Sequence, residues 1–396
     1  MKKSYLWLFL LVSVMGLVST GCDGCSTKSS GPIEVSQTLS LPIDDDREDF
    51  KGFILTSAEG GFVYIIDDVT GAIFTMGRDK DEYALLHTLS GIEGLERAKH
   101  AAISGDDKTL YIAIDGGESP GPLLVLTRDR KTGELSKDDG IILPEALTPP
   151  TRIVPVPQSS RFYVTTDRSD HSVLFDRAER HDSPAIIAPQ PGLSGRNHVV
   201  SSDGKLIFGN LSATRNLQIL EMNPPEVPKL VQSIDPHDYY PLSHLEGILL
   251  SPDERFLYLA VSGHSPLPQA NRSRREKAFL VFARSTDINK LSRPTIIELD
   301  DLIDLEEFAG RNDVLAISGD NKHLFIHFDS TFYVLGRDMD TGVVTSVLVK
   351  QDLSLGASSM PPRAAGGHAA FSSDMKELYT VQNRNEFTVL TIPETF

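Results

Sequence analysis

The stretch from Ile248 to Val261, Ile-Leu-Leu-Ser-Pro-Asp-Glu-Arg-Phe-Leu-Tyr-Leu-Ala-Val, decides the fold. Apolar and aromatic residues of the kind that fit a pleated, buried surface flank Ser251-Pro-Asp253 on both sides. Serine and aspartate bond to nearby backbone amides, while proline or glycine supplies the dihedral angles of a tight turn. The stretch therefore predicts two short strands joined by a Ser-x-Asp turn.

The same unit recurs through most of the chain. Four further copies keep the Ser-x-Asp turn, and they begin at Ala101, His198, Leu315 and Ala369. A degenerate copy begins at Arg152. A seventh is indicated near Phe53, where FILTSAEGGFVYIID keeps the later strands but lacks the Ser-x-Asp. With Phe53 taken as its second-strand residue, the second strands of successive copies lie 45 to 67 residues apart.

A third strand often follows and ends in Asp-x-x-Thr-Gly, as at residues 129–133 and 338–342. Short strands with turn signals at a period near 50 residues are typical of propeller blades. We therefore predict an all-β fold over residues 33–396, a seven-bladed β-propeller with four-stranded antiparallel blades. The last copy ends after its third strand. We expect residues 33–41 to supply the missing strand and so remove two exposed sheet edges.

Composition narrows the function classes. The formal charge of −17 disfavours nucleic-acid binding, which needs a basic face. Both cysteines, Cys22 and Cys25, lie near the start of the chain, so the rest has no disulfide, thiol nucleophile or cysteine ligand. Other constellations, such as His323-x-x-x-His327, lack a third ligand nearby. We therefore predict no metal site and no cofactor.

The first 32 residues have the features of an export signal and a tether. Lys2 and Lys3 precede an uncharged stretch, too short to span a bilayer, that ends in Ser19-Thr-Gly-Cys22. This end resembles a bacterial lipobox, although such motifs more often carry leucine where Ser19 stands. We predict a lipoprotein signal peptide over residues 1–21, lipidation at Cys22 and a flexible tether over residues 22–32. An ordinary signal peptide containing a cysteine is the alternative.

The repeats resemble the YVTN-type and lactonase-like seven-bladed β-propellers of bacteria over roughly residues 45–392. The residues that carry the resemblance are Ser251–Ala260 and the Arg-Asp-x-x-Thr-Gly turns. Lactonase-like members, including 6-phosphogluconolactonases, have a proposed site built from a glutamate and an Asn-Arg-Gly-His segment. The resemblance places Glu246 and His264 as catalytic candidates. Ser262 stands where the family has arginine, which would remove a cation able to hold a phosphate or stabilise an oxyanion.

Alignment of the copies on the turn aspartate places polar residues at the start of each innermost strand, beside one mouth of the central channel. Such a ring predicts a funnel for a small polar or anionic ligand, and the alternative is a set of satisfied polar groups beside a water-filled channel. The predicted funnel contains His100, Arg152, Arg196, His198, Arg311, Asp313 and His368, with Lys99 and Glu246 at the same level.

A basic insertion departs from the repeat between residues 262 and 277. It carries Arg272, Arg274 and Arg275, which in an acidic protein could contact an acidic partner or anionic lipid headgroups, or form an ordinary solvated loop.

We expect a monomeric, lipid-anchored binding or scaffolding module on a bacterial membrane, with its propeller in the periplasm or at the cell surface. Its partner would be an envelope protein or a small polar ligand. The alternative is a lactonase-type hydrolase with a degenerate site.

Overall fold

The computed structural model describes residues 33–43, 52–117, 121–138, 140–143, 150, 152–166, 171–176, 187–191, 198–210, 216–222, 229–239, 242–264, 275–285, 287–302, 312–328, 331–352, 369–382 and 385–393. Within these ranges, thirty strands form seven antiparallel sheets, and the only α-helix is one turn at Leu299–Leu302. Each sheet is one blade, which confirms the predicted seven-bladed propeller.

The blades follow one another along the chain. Blade 1 contains β2 (Gly52–Thr56), β3 (Phe62–Asp67), β4 (Ala72–Asp79) and β5 (Glu82–Leu89). Blade 2 contains β6 (Ala98–Ile103), β7 (Thr109–Ile114), β8 (Pro122–Arg128), β9 (Leu135–Lys137) and β10 (Ile141–Ile142). Blade 3 contains β11 (Arg152–Pro155), β12 (Arg161–Thr165), β13 (His171–Asp176) and β14 (Ile187–Pro191). Blade 4 contains β15 (His198–Val200), β16 (Leu206–Asn210), β17 (Leu217–Glu221) and β18 (Lys229–Ile234).

The remaining blades keep this plan. Blade 5 contains β19 (Leu242–Leu250), β20 (Phe256–His264), β21 (Arg275–Ser285), β22 (Lys290–Leu291) and β23 (Thr295–Glu298). Blade 6 contains β24 (Asn312–Ile317), β25 (His323–Phe328), β26 (Thr331–Arg337) and β27 (Val344–Asp352). Blade 7 contains β28 (Ala369–Phe371), β29 (Glu377–Gln382), β30 (Glu386–Thr391) and β1 (Glu34–Ser40). The first strands of blades 1 to 6 contact in succession, and β28 contacts β2, so these strands line the centre.

The N-terminal strand closes the ring. β1 pairs antiparallel with β30 from Glu34 opposite Thr391 to Ser40 opposite Glu386. The Gln37 side chain also bridges to blade 1, because its amide donates to the Tyr83 carbonyl at 2.8 Å and accepts from the Tyr83 N–H at 2.7 Å. The fourth strand predicted for the last blade is therefore confirmed.

The Ser-x-Asp turns are satisfied by local hydrogen bonds. Ser251 Oγ donates to Asp253 at 2.6 Å and accepts from the Phe256 N–H at 3.0 Å, while the Ser251 N–H donates to the Phe256 carbonyl. Glu254 takes a left-handed conformation at φ +56°. The other four turns keep the serine–aspartate bond, and their serines are Ser104, Ser201, Ser318 and Ser372.

The first blade corrects one alignment. Phe53 lies in the innermost strand β2, not in the second strand. Ser57 occupies the turn, its Oγ accepting from the Phe62 N–H at 3.1 Å, so Val63 in β3 corresponds to Leu110. The prediction was wrong because the turn Ser-Ala-Glu-Gly-Gly lacks the aspartate on which the other copies were aligned.

The core is divided among the seams between blades. Seven apolar clusters are found among the described residues, and each combines side chains from two successive blades, including the 7–1 seam that closes the ring. Tyr64, Tyr111, Tyr258 and Tyr379 occupy the same position in their second strands and are fully buried. Burial of one such large side chain contributes about 1.5–3 kcal/mol.

Two seams add a buried arginine at the turn end of the blade. Arg128 of blade 2 donates to the Tyr64 hydroxyl of blade 1 and forms an ion pair with Asp107 at 2.7 Å. The Tyr64 hydroxyl in turn donates to the Gly133 carbonyl at 3.0 Å. Arg337, Tyr258 and Gly342 repeat this network between blades 5 and 6. These polar groups therefore join blades.

Candidate functional site

The first strands of the seven blades run in the same direction, because each blade repeats the same strand order. Their starting ends therefore surround one mouth of the channel, opposite to the end that carries the Ser-x-Asp turns. Three of the predicted funnel residues, His100, Arg152 and His198, lie on the first strands of blades 2, 3 and 4.

Bulges occur at one position in three of these strands. The β6 and β24 ladders each skip one residue near the start, Lys99 and Asp313, and the β19 ladder skips two, Ser243 and Glu246. Lys99, Glu246 and Asp313 occupy the same position relative to the turn serine of their blade. A bulge re-aims the side chain of the extra residue and is common beside functional sites. Lys99 forms an ion pair with Asp115 of the same blade, with its Nζ 2.9 Å from Asp115 Oδ2. The carboxylate of Asp115 therefore compensates the positive charge of Lys99.

His100 connects blade 2 with blade 3. Its side chain is buried, and Nδ1 accepts a hydrogen bond from the Ile153 N–H at 3.2 Å. Its ring also faces Phe53 of blade 1, at 6.5 Å between centroids. Because Nδ1 accepts, the ring is neutral with its proton on Nε2. His100 thus satisfies a backbone donor on the next blade's innermost strand, which is a structural contribution to the mouth.

Arg152 and His198 lie on neighbouring blades and interact electrostatically. Burial lowers the pKa of Arg152 to about 10, so its guanidinium stays charged at neutral pH. Burial, followed by the positive charge of Arg152, lowers the pKa of His198 to about 3. The pair is therefore a cation beside a neutral imidazole, since the two cannot both be charged in this environment.

Gly209 is a residue of this site that sequence reasoning missed. It pairs with His198 across β15 and β16, and a Cβ at position 209 would overlap the imidazole ring. The absence of a side chain lets the ring lie against the strand. A glycine inside an apolar strand is the available signal, because it often marks a close approach of another group.

The two catalytic candidates lie on adjacent strands of blade 5. Glu246 falls between Leu245, which pairs with Val261, and Gly247. His264 ends β20, three residues beyond Val261, or about 10 Å along the strand at 3.3 Å per residue. The backbone thus places the two residues on neighbouring strands but not opposite each other.

The structure does not describe the side chains of every predicted site residue. Arg196, Arg311, His368, Arg272, Arg274 and Cys22 lie outside the described residues. For Glu246, His264, Asp313 and Arg275 the structure gives the strand position but not the side chain. The predictions made for these residues stay predictions.

Two features are not found in the described part of the chain. No cluster of three or more histidine, cysteine, aspartate or glutamate side chains suited to a metal ion is found there. Among the same residues, no helix has both the length and the apolar character needed to cross a bilayer.

Comparisons with known proteins identify the fold and not a family. No family model matches the sequence, and no curated protein matches it. Among solved structures, hydrazine synthase of Kuenenia stuttgartiensis has a TM-score of 0.60 and 14% identity, covering 89% of this chain and 99% of that chain.

Two other similar structures were provisionally named 6-phosphogluconolactonases. The one from Bacteroides uniformis has a TM-score of 0.56 and 15% identity, covering 87% of this chain and 92% of that chain. The one from Bacteroides fragilis has a TM-score of 0.54 and 17% identity, covering 84% of this chain and 97% of that chain. At these identities the likeness extends to the fold alone, since one fold hosts many functions.

Proposed function

We propose that the protein is a lipid-anchored component of a bacterial cell envelope whose propeller binds a small polar ligand at the channel mouth. The observation that carries this proposal is the cluster formed by His100, Arg152 and His198 on three consecutive innermost strands. Ionisable groups that converge at the mouth of a largely apolar scaffold are typical of ligand sites.

The electrostatics of the mouth favour binding. Arg152 is half-buried as a residue, and His198 is buried. A charge in such surroundings interacts with a ligand more strongly than it would in water, because the effective dielectric constant is lower. The bulges in β6, β19 and β24 place three further ionisable residues, Lys99, Glu246 and Asp313, near the starts of the innermost strands.

The binding function can be tested by thermal stabilisation. The full-length chain, purified in detergent, would be heated with sugars, sugar acids, amino acids and phosphorylated metabolites. A bound ligand raises the melting temperature according to its concentration relative to Kd. We expect at least one compound to raise it, and the double variant R196A/H368A to abolish that rise. Retained stabilisation in the double variant would reject the funnel.

The anchor can be tested separately. The lipobox and the short tether from Cys22 to Ile33 support attachment to the membrane through a lipid, with β1 starting directly after the tether. We expect wild-type protein to incorporate labelled palmitate and to sediment with membranes, and C22S to incorporate none. Equal labelling of C22S would exclude lipidation at this cysteine.

An envelope protein is the second type of partner, and the segment with Arg272, Arg274 and Arg275 is its proposed contact. Three clustered arginines in a protein of charge −17 would suit an acidic surface. Replacement of all three by glutamine should weaken capture of such a partner from solubilised membranes, and unchanged capture would reject the contact.

A lactonase-type hydrolase is the second candidate function. Two structural neighbours provisionally named 6-phosphogluconolactonases favour it, as does the bulge at Glu246. The assay is hydrolysis of 6-phosphogluconolactone by the full-length chain, with E246Q and S262R as variants. Activity lost in E246Q would favour the hydrolase. No hydrolysis by either wild type or S262R would remove it.

A further inference from the structure

His198 is the most unusual polar side chain in the described part of the molecule. It is 4% exposed, and neither ring nitrogen has a hydrogen-bond partner among the described residues. A neutral imidazole carries one donor and one acceptor, and leaving a buried polar group unpaired costs about 1–3 kcal/mol. Among the described residues, the ring of His198 thus has a donor and an acceptor available for a ligand at the mouth.

The neighbouring charge indicates which ligand would satisfy it. Arg152 starts the innermost strand of blade 3, and its positive charge is close enough to disfavour protonation of His198 on blade 4. A guanidinium beside a neutral N–H donor complements an oxyanion, because arginine matches the planar geometry of carboxylate and phosphate oxygens. A cationic ligand would instead be repelled by Arg152.

We propose that Arg152 and His198 form a subsite between the inner edges of blades 3 and 4 for the carboxylate or phosphate group of a small ligand. Arg152 supplies the charge and His198 supplies a hydrogen bond. The inference rests on the proposed binding function, and it assigns the chemical class of the ligand.

Gly209 positions one member of the subsite. His198 is buried, and a Cβ at position 209 would overlap its imidazole ring, so any side chain there would displace the ring. Glycine at position 209 is thus a positioning residue for His198.

The test measures anion binding directly by isothermal titration calorimetry. The probes are inorganic phosphate, acetate and chloride, titrated into the full-length chain in detergent at pH 7.5. We expect phosphate or acetate to bind and chloride to bind much more weakly, since chloride cannot use a fork of donors. The stronger of the two oxyanions identifies the source of the charge in the natural ligand.

Five variants, two of them controls, separate the subsite from general charge. R152M should weaken binding about tenfold to a hundredfold, because hydrogen bonds to charged groups contribute about 1.5–3 kcal/mol. R255M is its matched control, because Arg255 is exposed at a Ser-x-Asp turn and the charge change is the same. H198L should weaken binding about tenfold, and H198Q should retain part of it. The exposed His237 supplies the control H237Q.

G209A provides an independent readout. The added methyl group should move the His198 ring and shift its imidazole nuclear magnetic resonance signals even without anion. It should also weaken phosphate binding while leaving Arg152 in place. In wild type, phosphate addition should shift the His198 signals, and R152M should suppress that shift.

The outcomes distinguish this inference from the broader proposal. Equal anion affinity in R152M and R255M, or His198 signals that ignore both oxyanions, would overturn the anion subsite. If a neutral compound stabilises the protein through the funnel while no oxyanion binds, the binding function stands and the anion subsite falls. If no compound of any class binds, both fall.

Discussion

The two ends of the innermost strands differ in how their polar groups are satisfied. At the turn end, five serines of the same motif bond to aspartate, and buried Arg128 and Arg337 both have bonded partners on the neighbouring blade. At the mouth end, the described blades share no common motif, and His198 is buried with both nitrogens unpaired among the described residues.

This difference separates stability from function. The serine hydroxyls that repeat in five blades are bonded, and they contribute to the fold because the same local geometry is needed at each of these turns. A group that occurs once and is buried without partners reduces stability, and such groups are retained mainly at functional sites. The mouth near blades 3 and 4 is therefore the part of the propeller where changes should affect binding more than folding.

The largest expected effect is at the turn end, where Arg337→Leu removes the arginine of the 5–6 seam. The Tyr258 hydroxyl and the Asn321 carbonyl lose their shared donor. We expect the free energy of unfolding to fall by about 1.5–3 kcal/mol for each of these two hydrogen bonds, because the donor is charged. Chemical denaturation would measure it. Arg152→Met at the mouth is the contrast, and an equal loss there would contradict the separation of the two ends.

A smaller effect is expected for Ser251→Ala in the turn. The variant leaves the buried Phe256 N–H without its side-chain acceptor and releases Asp253. We expect a loss of about 1–3 kcal/mol in unfolding free energy. The exposed Ser136 provides a control, since Ser136→Ala removes only a long bond of 3.5 Å to Thr127. Equal losses in the two variants would show that the turn hydroxyl is dispensable.

At the mouth the sign should reverse. His198→Leu removes two unpaired nitrogens from the interior, and we expect the unfolding free energy at pH 7.5 to rise by about 1–2 kcal/mol. The same variant should lose the anion binding inferred above. A variant that is less stable than wild type at pH 7.5 would show that His198 has partners after all and acts in the fold.

The pH dependence gives an independent check on His198. Its folded pKa of about 3 lies below its unfolded value near 6.5, so the unfolded state binds the proton first as the pH falls. Wild type therefore loses stability between about pH 6.5 and 3 through this residue. His198→Leu should lose less between pH 7 and pH 5. Identical losses in denaturation midpoint would mean that His198 is protonated in the folded protein.

The fold could be predicted because its determinants are local. The Ser-x-Asp turn needs only residues within about six positions, as Ser251 and Phe256 illustrate, and the copies recur at similar spacings. Closure of the ring by β1 could be predicted because the last copy of the repeat lacks a fourth strand. The register of blade 1 could not be predicted with the same rule, because Ser57 acts in the turn without the aspartate.

The site was predictable in position but not in its contacts. His100, Arg152 and His198 were found from their register relative to the turns. The contact of His100 with the Ile153 N–H joins two blades across 53 residues, and it depends on the distance between inner strands. The contact of the His198 imidazole with Gly209 could not be predicted either. The assembled propeller decides which face of a strand meets the next blade.

The smallest expected effect lies in a seam whose network is incomplete. Arg284 of blade 5 occupies the position of Arg337 and binds Glu254 at 2.6 Å, but the preceding blade offers Phe208 where the 5–6 seam has Tyr258. As a result, Arg284 Nε has no hydrogen-bond partner among the described residues, although the guanidinium lies 5.7 Å from the Phe208 ring centroid.

Phe208→Tyr should supply the missing acceptor. Position 208 corresponds to Tyr258, whose hydroxyl accepts from Arg337 and donates to a carbonyl of the following turn. We expect the variant to gain about 1 kcal/mol of unfolding free energy, the net value of one buried hydrogen bond. Tyr258→Phe should lose a similar amount, and Phe208→Tyr combined with Arg284→Met should gain nothing. A gain that persists without Arg284 would mean that packing, and not the arginine, limits this seam. A gain that requires Arg284 would show that a tyrosine hydroxyl completes the arginine network of this seam, as it does in the 5–6 seam.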